Sequence, residues 1–314
     1  MSIPWMYQLF LSVDLENSTK FKSVSFSSSN NEYPEWVEFF EDFYSTFADL
    51  FKNQLNTKKV AVPSIWKYMG DEIIYNVEIK NSAHVVDYVD CFKKAIATYN
   101  SSAEKQKDYK CHGTIWGAGF PVRNREVSIP TEISGRKKST DFIGLDMDLG
   151  FRISKYSKAE RLVVSLPVAY ILSEHSYEGL RFYDFVDVKG IQKKYPLFWT
   201  CTEQEENPQT QWYQIHHAST VRDFCKNQFN DSGISEFSTP FIENDPSRKC
   251  SKICEQMKSY KEKIELAAET SKQERKQKGS SPKKQKGSSP KKQNQSSKKT
   301  LPLEWKKIIN NSFK

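Results

Sequence analysis

Apolar residues alternate with polar ones through Tyr7–Val13 and the run stops at Asp14, the pattern of a half-buried strand ending in a carboxylate. Pro34–Asn53 places Trp36, Phe39, Phe40, Phe43, Phe47, Leu50 and Phe51 at helical spacing, with a polar, serine-rich loop expected before it over Ser23–Asn31. Val60–Met69 and Glu72–Ile79 are two apolar runs separated by Gly70-Asp71, which predicts a β-hairpin with a carboxylate at its tip. His84–Tyr99 carries Val85, Val89, Phe92, Ile96 and Tyr99 on one helical face, and Lys110–Phe120 is a glycine-bearing strand. The order is β-α-β-β-α-β, a ferredoxin-like α+β arrangement.

Farther along, Pro121–Thr140 is predicted as a loop holding a basic patch at Arg136, Lys137 and Lys138. Leu145–Tyr156 is expected as a helix, Arg161–Ser165 as a short strand and Pro167–Ser173 as a short helix. Phe182–Lys189 and Tyr195–Thr200 form a closing hairpin around Gly190. The pattern then weakens, with helical stretches expected over Gln211–Phe229 and Ser247–Glu269. This divides the chain into a catalytic-sized domain over 1–205, a helical extension over 206–270 and a tail over 271–314.

Charge sharpens that division. The chain of 314 residues has a formal charge of +8, but 14 Lys and Arg against 2 Asp and Glu fall in 271–314, leaving the remainder mildly acidic. The tail repeats the octapeptide Gln277–Lys284 at 285–292 and has too few apolar residues for a core, so it is expected to be disordered. It serves as a solubilising spacer or docks on a polyanion such as nucleic acid. The basic balance is therefore no argument that the folded part binds nucleic acid.

No stretch reaches the ~20 apolar residues of a membrane span, and the start of the chain lacks the basic region and apolar length of a signal peptide. The six cysteines show no CxxC pair, and Cys250 and Cys254, four apart without a histidine at useful spacing, make a poor metal site. A reducing cytoplasm fits best.

Asp14 and Asp71 are the chemically pointed residues. If their strands are neighbours, both carboxylates reach the same end of the sheet and share divalent cations, next to Asn17-Ser18-Thr19, whose hydroxyls and backbone amides suit phosphate. Each aspartate alone is as readily a turn or cap residue.

The ordered set Asp14, Lys67-x-x-Gly70-Asp71, Asp141-x-x-Gly144-x-x-x-Asp148-x-x-x-Arg152 and Val188-Lys189-Gly190-Ile191 resembles the class III nucleotidyl cyclase catalytic domain over roughly residues 6–200. The Trp66–Glu72 hairpin and the Ala118–Pro121 strand end are most similar to the stand-alone pyrimidine cyclases of bacterial Pycsar antiphage defence. The resemblance implies attack of a ribose 3′-hydroxyl on the α-phosphate of a nucleoside triphosphate, with release of pyrophosphate and two Mg²⁺ or Mn²⁺ per site. It assigns the metals to Asp14, Asp71 and the Leu15 carbonyl, the triphosphate to Asn17, Ser18 and Thr19, and the α-phosphate charge to Arg152. Asp148 stands where the family has a ribose-orienting asparagine and can only accept a hydrogen bond there. Lys189, Lys193 or Lys194 reaches phosphate, with Lys193 preferred.

Lys67 and Asp141 contact the base edge in that family. One donates and the other accepts, which serves adenine, cytosine or uracil, while guanylyl cyclases carry Glu where Lys67 stands. Tyr68, Phe142 or the Trp116 region could shorten the pocket against a purine. The resemblance further implies a homodimer, with Asp14 and Asp71 from one protomer meeting Lys67, Asp141, Asp148 and Arg152 of its partner, and a product read by a separate cyclic-nucleotide effector. The expected functions are a pyrimidine cyclase making cUMP before cCMP, an adenylate cyclase, or a degenerate cyclase-like binding module.

Overall fold

The computed structural model describes residues 5–28, 35–102, 109–132, 138–191, 193–202, 217–236, 239–246, 259–267 and 269–270. Contacts divide the chain into two units, Met1–Ala268 and Glu269–Lys314. Of the second, only the helical residues 269–270 are described, so the octapeptide repeat lies outside the described residues, as do Arg136, Lys137, Cys250 and Cys254.

In the first unit, β1 (Met6–Leu15) leads into α1 (Ser18–Ser28) and α2 (Glu35–Asn56). The hairpin β2 (Ser64–Met69) and β3 (Glu72–Glu78) follows, then α3 (His84–Ser102) and β4 (Cys111–Phe120). A second hairpin, β5 (Asn124–Pro130) and β6 (Lys138–Gly144), precedes α4 (Leu145–Ile153) and a 3-10 turn at Ser154–Tyr156. β7 (Arg161–Val164), α5 (Leu166–Glu174), β8 (Leu180–Val186), β9 (Tyr195–Cys201) and α6 (Ala218–Glu236) complete the order. Residues 259–267 are also helical.

The main sheet has seven strands in the order β2-β3-β1-β4-β7-β9-β8. β1 is an interior strand, antiparallel to both β3 and β4. Side chains of a strand alternate between faces, and here the two faces are unlike. Leu9, Leu11 and Val13 join Phe43, Phe47 and Phe51 of α2 and Val89, Phe92 and Ile96 of α3 in the large core. The opposite face carries a smaller cluster of Phe10, Ile74, Trp116, Ala118, Phe120, Phe142 and Met147. α4 lies close over that face, since a Cβ at Gly150 would stand 2.3 Å from the Trp116 ring. α6 belongs to the large core through Val221, Cys225 and Phe229, packed on Tyr170 of α5.

Three segments differ from the sequence expectation. Ser23–Ser28, expected as loop, continues helix α1, which the edge-on contact of Phe21 with Phe39 at 5.0 Å ties to α2; a serine run has no apolar period to reveal a helix. The predicted loop Pro121–Thr140 contains β5 and the first three residues of β6. Both strands are largely exposed, so their ladder leaves no hydrophobic alternation to detect. The strand expected from Val60 starts at Ser64, after Pro63, whose nitrogen cannot donate to a ladder.

Candidate active site

Gly70 takes φ +69° and makes the tight two-residue turn between β2 and β3, which lifts Asp71 to the hairpin tip. Asp14, one residue from the end of β1, comes to the same rim, close enough for the two carboxyl groups to act on each other electrostatically. Burial, with Asp71 and then Glu72 as negative neighbours, pushes the Asp14 carboxyl up to about 7. Two acids held this close, both of them partly exposed, are a donor set that suits divalent cations with oxygen preference.

The register explains the crowding. Asp14 stands directly opposite Glu72 on β3 and His112 on β4, so three polar side chains form one rung across the sheet. Like charges directly opposite each other on a sheet repel. The next rung, Ile74–Ser12–Thr114, puts the Ser12 hydroxyl within bonding distance of Glu72, to which it donates. Ser12, Asp14, Glu72, His112 and Thr114 line a cleft of about 230 Å³ whose other side is Ser154, Lys155, Ser157 and Lys158. Burial lowers the His112 pKa below its usual value. Among the described residues, no group of three or more His, Cys, Asp or Glu is arranged so that all of them could hold one metal ion.

The phosphate loop reached from the sequence leads into a helix. Asn17 is left-handed at φ +62°, and Phe21 N donates to its carbonyl, so the first-turn amides of α1 belong to Ser18, Thr19 and Lys20. Asn17 and Thr19 are exposed, whereas Ser18 is buried and donates its hydroxyl to Asp71. Lys22 lies 3.8 Å from the other Asp71 oxygen. Leu15 ends β1 with its side chain in the core and its amide donating to Asp14 Oδ1.

A second polar group sits on the same hairpin and the neighbouring β6. Lys67 Nζ is 2.7 Å from Asp141 Oδ1 and lies over the Trp66 ring at 4.4 Å. Beneath the pair, Trp66, Phe142, Phe10 and Trp116 pack ring against ring at 5.2–5.4 Å. Trp116 and Phe142 are thus floor residues, while Tyr68 is exposed and leans on Tyr44. Asp146, which the motif spacing left without a role, fixes this region. Arg123 donates to one of its oxygens and Asn124 to the other, and Asn124 accepts from the Asp146 amide, so the β5 start is bolted to the start of α4.

On α4, Asp148 and Arg152 are one turn apart with 3.8 Å between charged atoms, and Arg152 donates to the Lys189 carbonyl beside Gly190. Lys193 Nζ is engaged with the Asp231 carbonyl of α6 at 2.7 Å. The structure therefore brings Asp14 together with Asp71, Lys67 with Asp141, and Asp148 with Arg152, as three separate pairs. Sequence reasoning passed over Glu72 and His112. The signal was available in principle, because counting the β1–β3 and β1–β4 pairings outward from the Gly70-Asp71 turn and the strand ends puts both beside Asp14.

No protein-family model matches the chain, and no curated protein matches it. Among solved structures, the adenylyl cyclase CyaB from P. aeruginosa is similar at 10% identity and a TM-score of 0.51, over 65% of this chain and 97% of that one. The guanylyl cyclase Cya2 aligns at 15% identity and a TM-score of 0.47, over 66% and 96% of the two chains. The guanylate cyclase domain of RhGC from Catenaria anguillulae aligns at 13% identity and a TM-score of 0.44, over 63% and 98%. At such identities the CyaB likeness speaks for the fold alone, and the α+β architecture described above is that of a nucleotidyl cyclase catalytic domain.

Proposed function

We propose that the chain is a nucleotidyl cyclase that converts a pyrimidine nucleoside triphosphate, UTP before CTP, to its 3′,5′-cyclic monophosphate and pyrophosphate. The observation that carries the reading is the meeting of Asp14 and Asp71 at one rim of a cyclase-fold sheet. Two divalent ions, Mg²⁺ or Mn²⁺, supply acidification of the ribose 3′-hydroxyl and charge neutralisation on the β,γ-phosphates when bound.

Asp14 and Asp71 hold those ions, and the Leu15 carbonyl adds an oxygen. The first-turn amides of α1 at Ser18 and Thr19, with Asn17, cradle the triphosphate. Arg152, whose planar fork already spans Asp148 and the Lys189 carbonyl, spreads over the negative α-phosphate as charge builds there. Asp148 accepts from a ribose hydroxyl, and Lys193 leaves its helix carbonyl for a phosphate oxygen. Lys67 donates to the base and Asp141 accepts from it, each giving up the other.

Active sites form between two copies of the chain. Ile65, Tyr68 and Met69 at the β2 edge and Ile143 and Leu145 by β6 and α4 are exposed apolar residues flanking both polar groups, a surface suited to a partner. The aromatic floor under Lys67 and Asp141 supports a short base pocket, hence the pyrimidine. The Trp66–Glu72 and Ala118–Pro121 segments support a place in antiphage signalling, where a separate effector reads the cyclic product and the basic tail meets a polyanion. No helix among the described residues is long and apolar enough to cross a membrane.

The test is incubation of purified protein with each of the four NTPs and Mn²⁺. Cyclic UMP or CMP is the expected product. Cyclic AMP would replace the base assignment and keep the chemistry, and no cyclic product from any NTP would refute the cyclase reading.

A further inference from the structure

The rung that holds Asp14 offers a nitrogen donor beside the two carboxylates. His112 Nε2 lies 3.8 Å from Asp14 Oδ2. That is too long for a hydrogen bond, yet it is a span that one ion fills. Two donors each about 2.1 Å from a shared ion lie about 3 Å apart at a right angle and about 4.2 Å apart when opposed.

The ring's tautomer follows from its other side. The Ser157 hydroxyl donates its single proton to the Ser154 carbonyl at 2.6 Å, so at its 2.6 Å contact with His112 Nδ1 it must accept. Nδ1 therefore carries the proton, and Nε2 turns a lone pair toward Asp14. A fixed N–H on the far nitrogen is how ligating histidines are commonly oriented. The cleft of about 230 Å³ on this rung has room for an ion with its waters.

We infer that His112 Nε2 and Asp14 ligate the same divalent ion, so that this site favours Mn²⁺ or Co²⁺ over Mg²⁺ and Ca²⁺. An imidazole nitrogen is a softer donor than carboxylate or water, and Mg²⁺ and Ca²⁺ prefer oxygen. The inference rests on the reading that Asp14 and Asp71 bind metal, and its test separates the two.

The full chain is loaded with Mn²⁺ in the presence of inorganic pyrophosphate and studied by pulsed EPR. The expected result is a directly coordinated ¹⁴N that is replaced by a ¹⁵N coupling when the protein is grown on ¹⁵N-histidine. His112→Gln should remove that coupling and weaken Mn²⁺ binding about tenfold, with Mg²⁺ affinity changed far less. If His112→Gln does not fold, the isotope pattern together with its loss in Asp14→Asn decides alone. Mn²⁺ that binds, is lost in Asp14→Asn and shows no nitrogen coupling overturns the inference and leaves the cyclase reading standing. Coupling that survives in His112→Gln also overturns it. Absence of Mn²⁺ binding overturns both.

Discussion

Two polar groups share one face of the central sheet and are built on opposite principles. At Lys67–Asp141 the charges cancel at 2.7 Å above aromatic rings packed largely edge to face, so the group is complete without a ligand. At the Asp14 rung, Asp71 and Glu72 crowd a third carboxylate, and Ser18, Lys22 and Ser12 offset them only in part. On the cyclase reading proposed above, the first group exchanges each partner for the base. The second is under-compensated until cations arrive. A half-site crowded with acids, next to one whose charges cancel, is what the proposed metal-borne nucleotide would require of a single protomer.

The sharpest way to break this comparison is Asp71→Ala. It removes a carboxylate that the proposal assigns to metal, partly exposed at a hairpin tip, and leaves the core untouched, so turnover should fall more than about 10³-fold while size-exclusion chromatography shows the same assembly as the unsubstituted protein. Retained turnover would mean that the crowded acids are not the metal site.

Lys67→Ala tests the other group. Losing one charged hydrogen bond to the base should cost about 1.5–3 kcal/mol, or roughly 10- to 150-fold in kcat/KM. The loss should fall on the preferred base more than on the others, measured as competition between UTP, CTP and ATP. An equal loss for all bases would place Lys67 on phosphate or structure instead. The ion pair itself adds little stability, since a partly exposed pair contributes about 0–1 kcal/mol. Melting should therefore hardly change.

Melting should change at the other group. Saturating Mn²⁺ at about a hundredfold excess over Kd stabilises a protein by about 2.7 kcal/mol, several degrees in Tm for a unit of this size. Asp14→Asn should abolish that rise and also raise the metal-free Tm, because it removes one of three carboxylates facing each other. A metal-free Tm lowered by Asp14→Asn would show that the rung is compensated already.

Much of this contrast was readable in the chain. The alternation of Tyr7–Val13 and the apolar runs around Gly70-Asp71 gave β1, β2 and β3, and their carboxylates follow because both strands stop at the same rim. Periodicity also marked α2, α3 and α4. It could not mark β5 and β6, whose exposed ladders bury little, although they carry Asp141 and anchor α4 through Asn124. His112 and Glu72 were hidden for another reason. Their place beside Asp14 depends on strand register, a long-range property that local pattern does not specify. Lys193 shows the same limit from the other side, as its α6 partner Asp231 lies 38 residues away.

The smallest effect is expected from removing residues 271–314. Both polar groups lie within 5–202, and every residue assigned to chemistry is in the first unit. The excised segment holds 14 of the chain's 47 Lys and Arg against 2 acids, so its contribution should be electrostatic and long-ranged rather than catalytic. The truncated protein should match the full chain in kcat/KM and Tm within about 0.5 kcal/mol at physiological salt. Any difference should appear only as retention on a polyanion column, lost on truncation and weakened by salt. A drop in turnover that salt does not mimic would tie the tail to the site itself, and the division of labour between the two halves of the sheet face would have to include a third contributor.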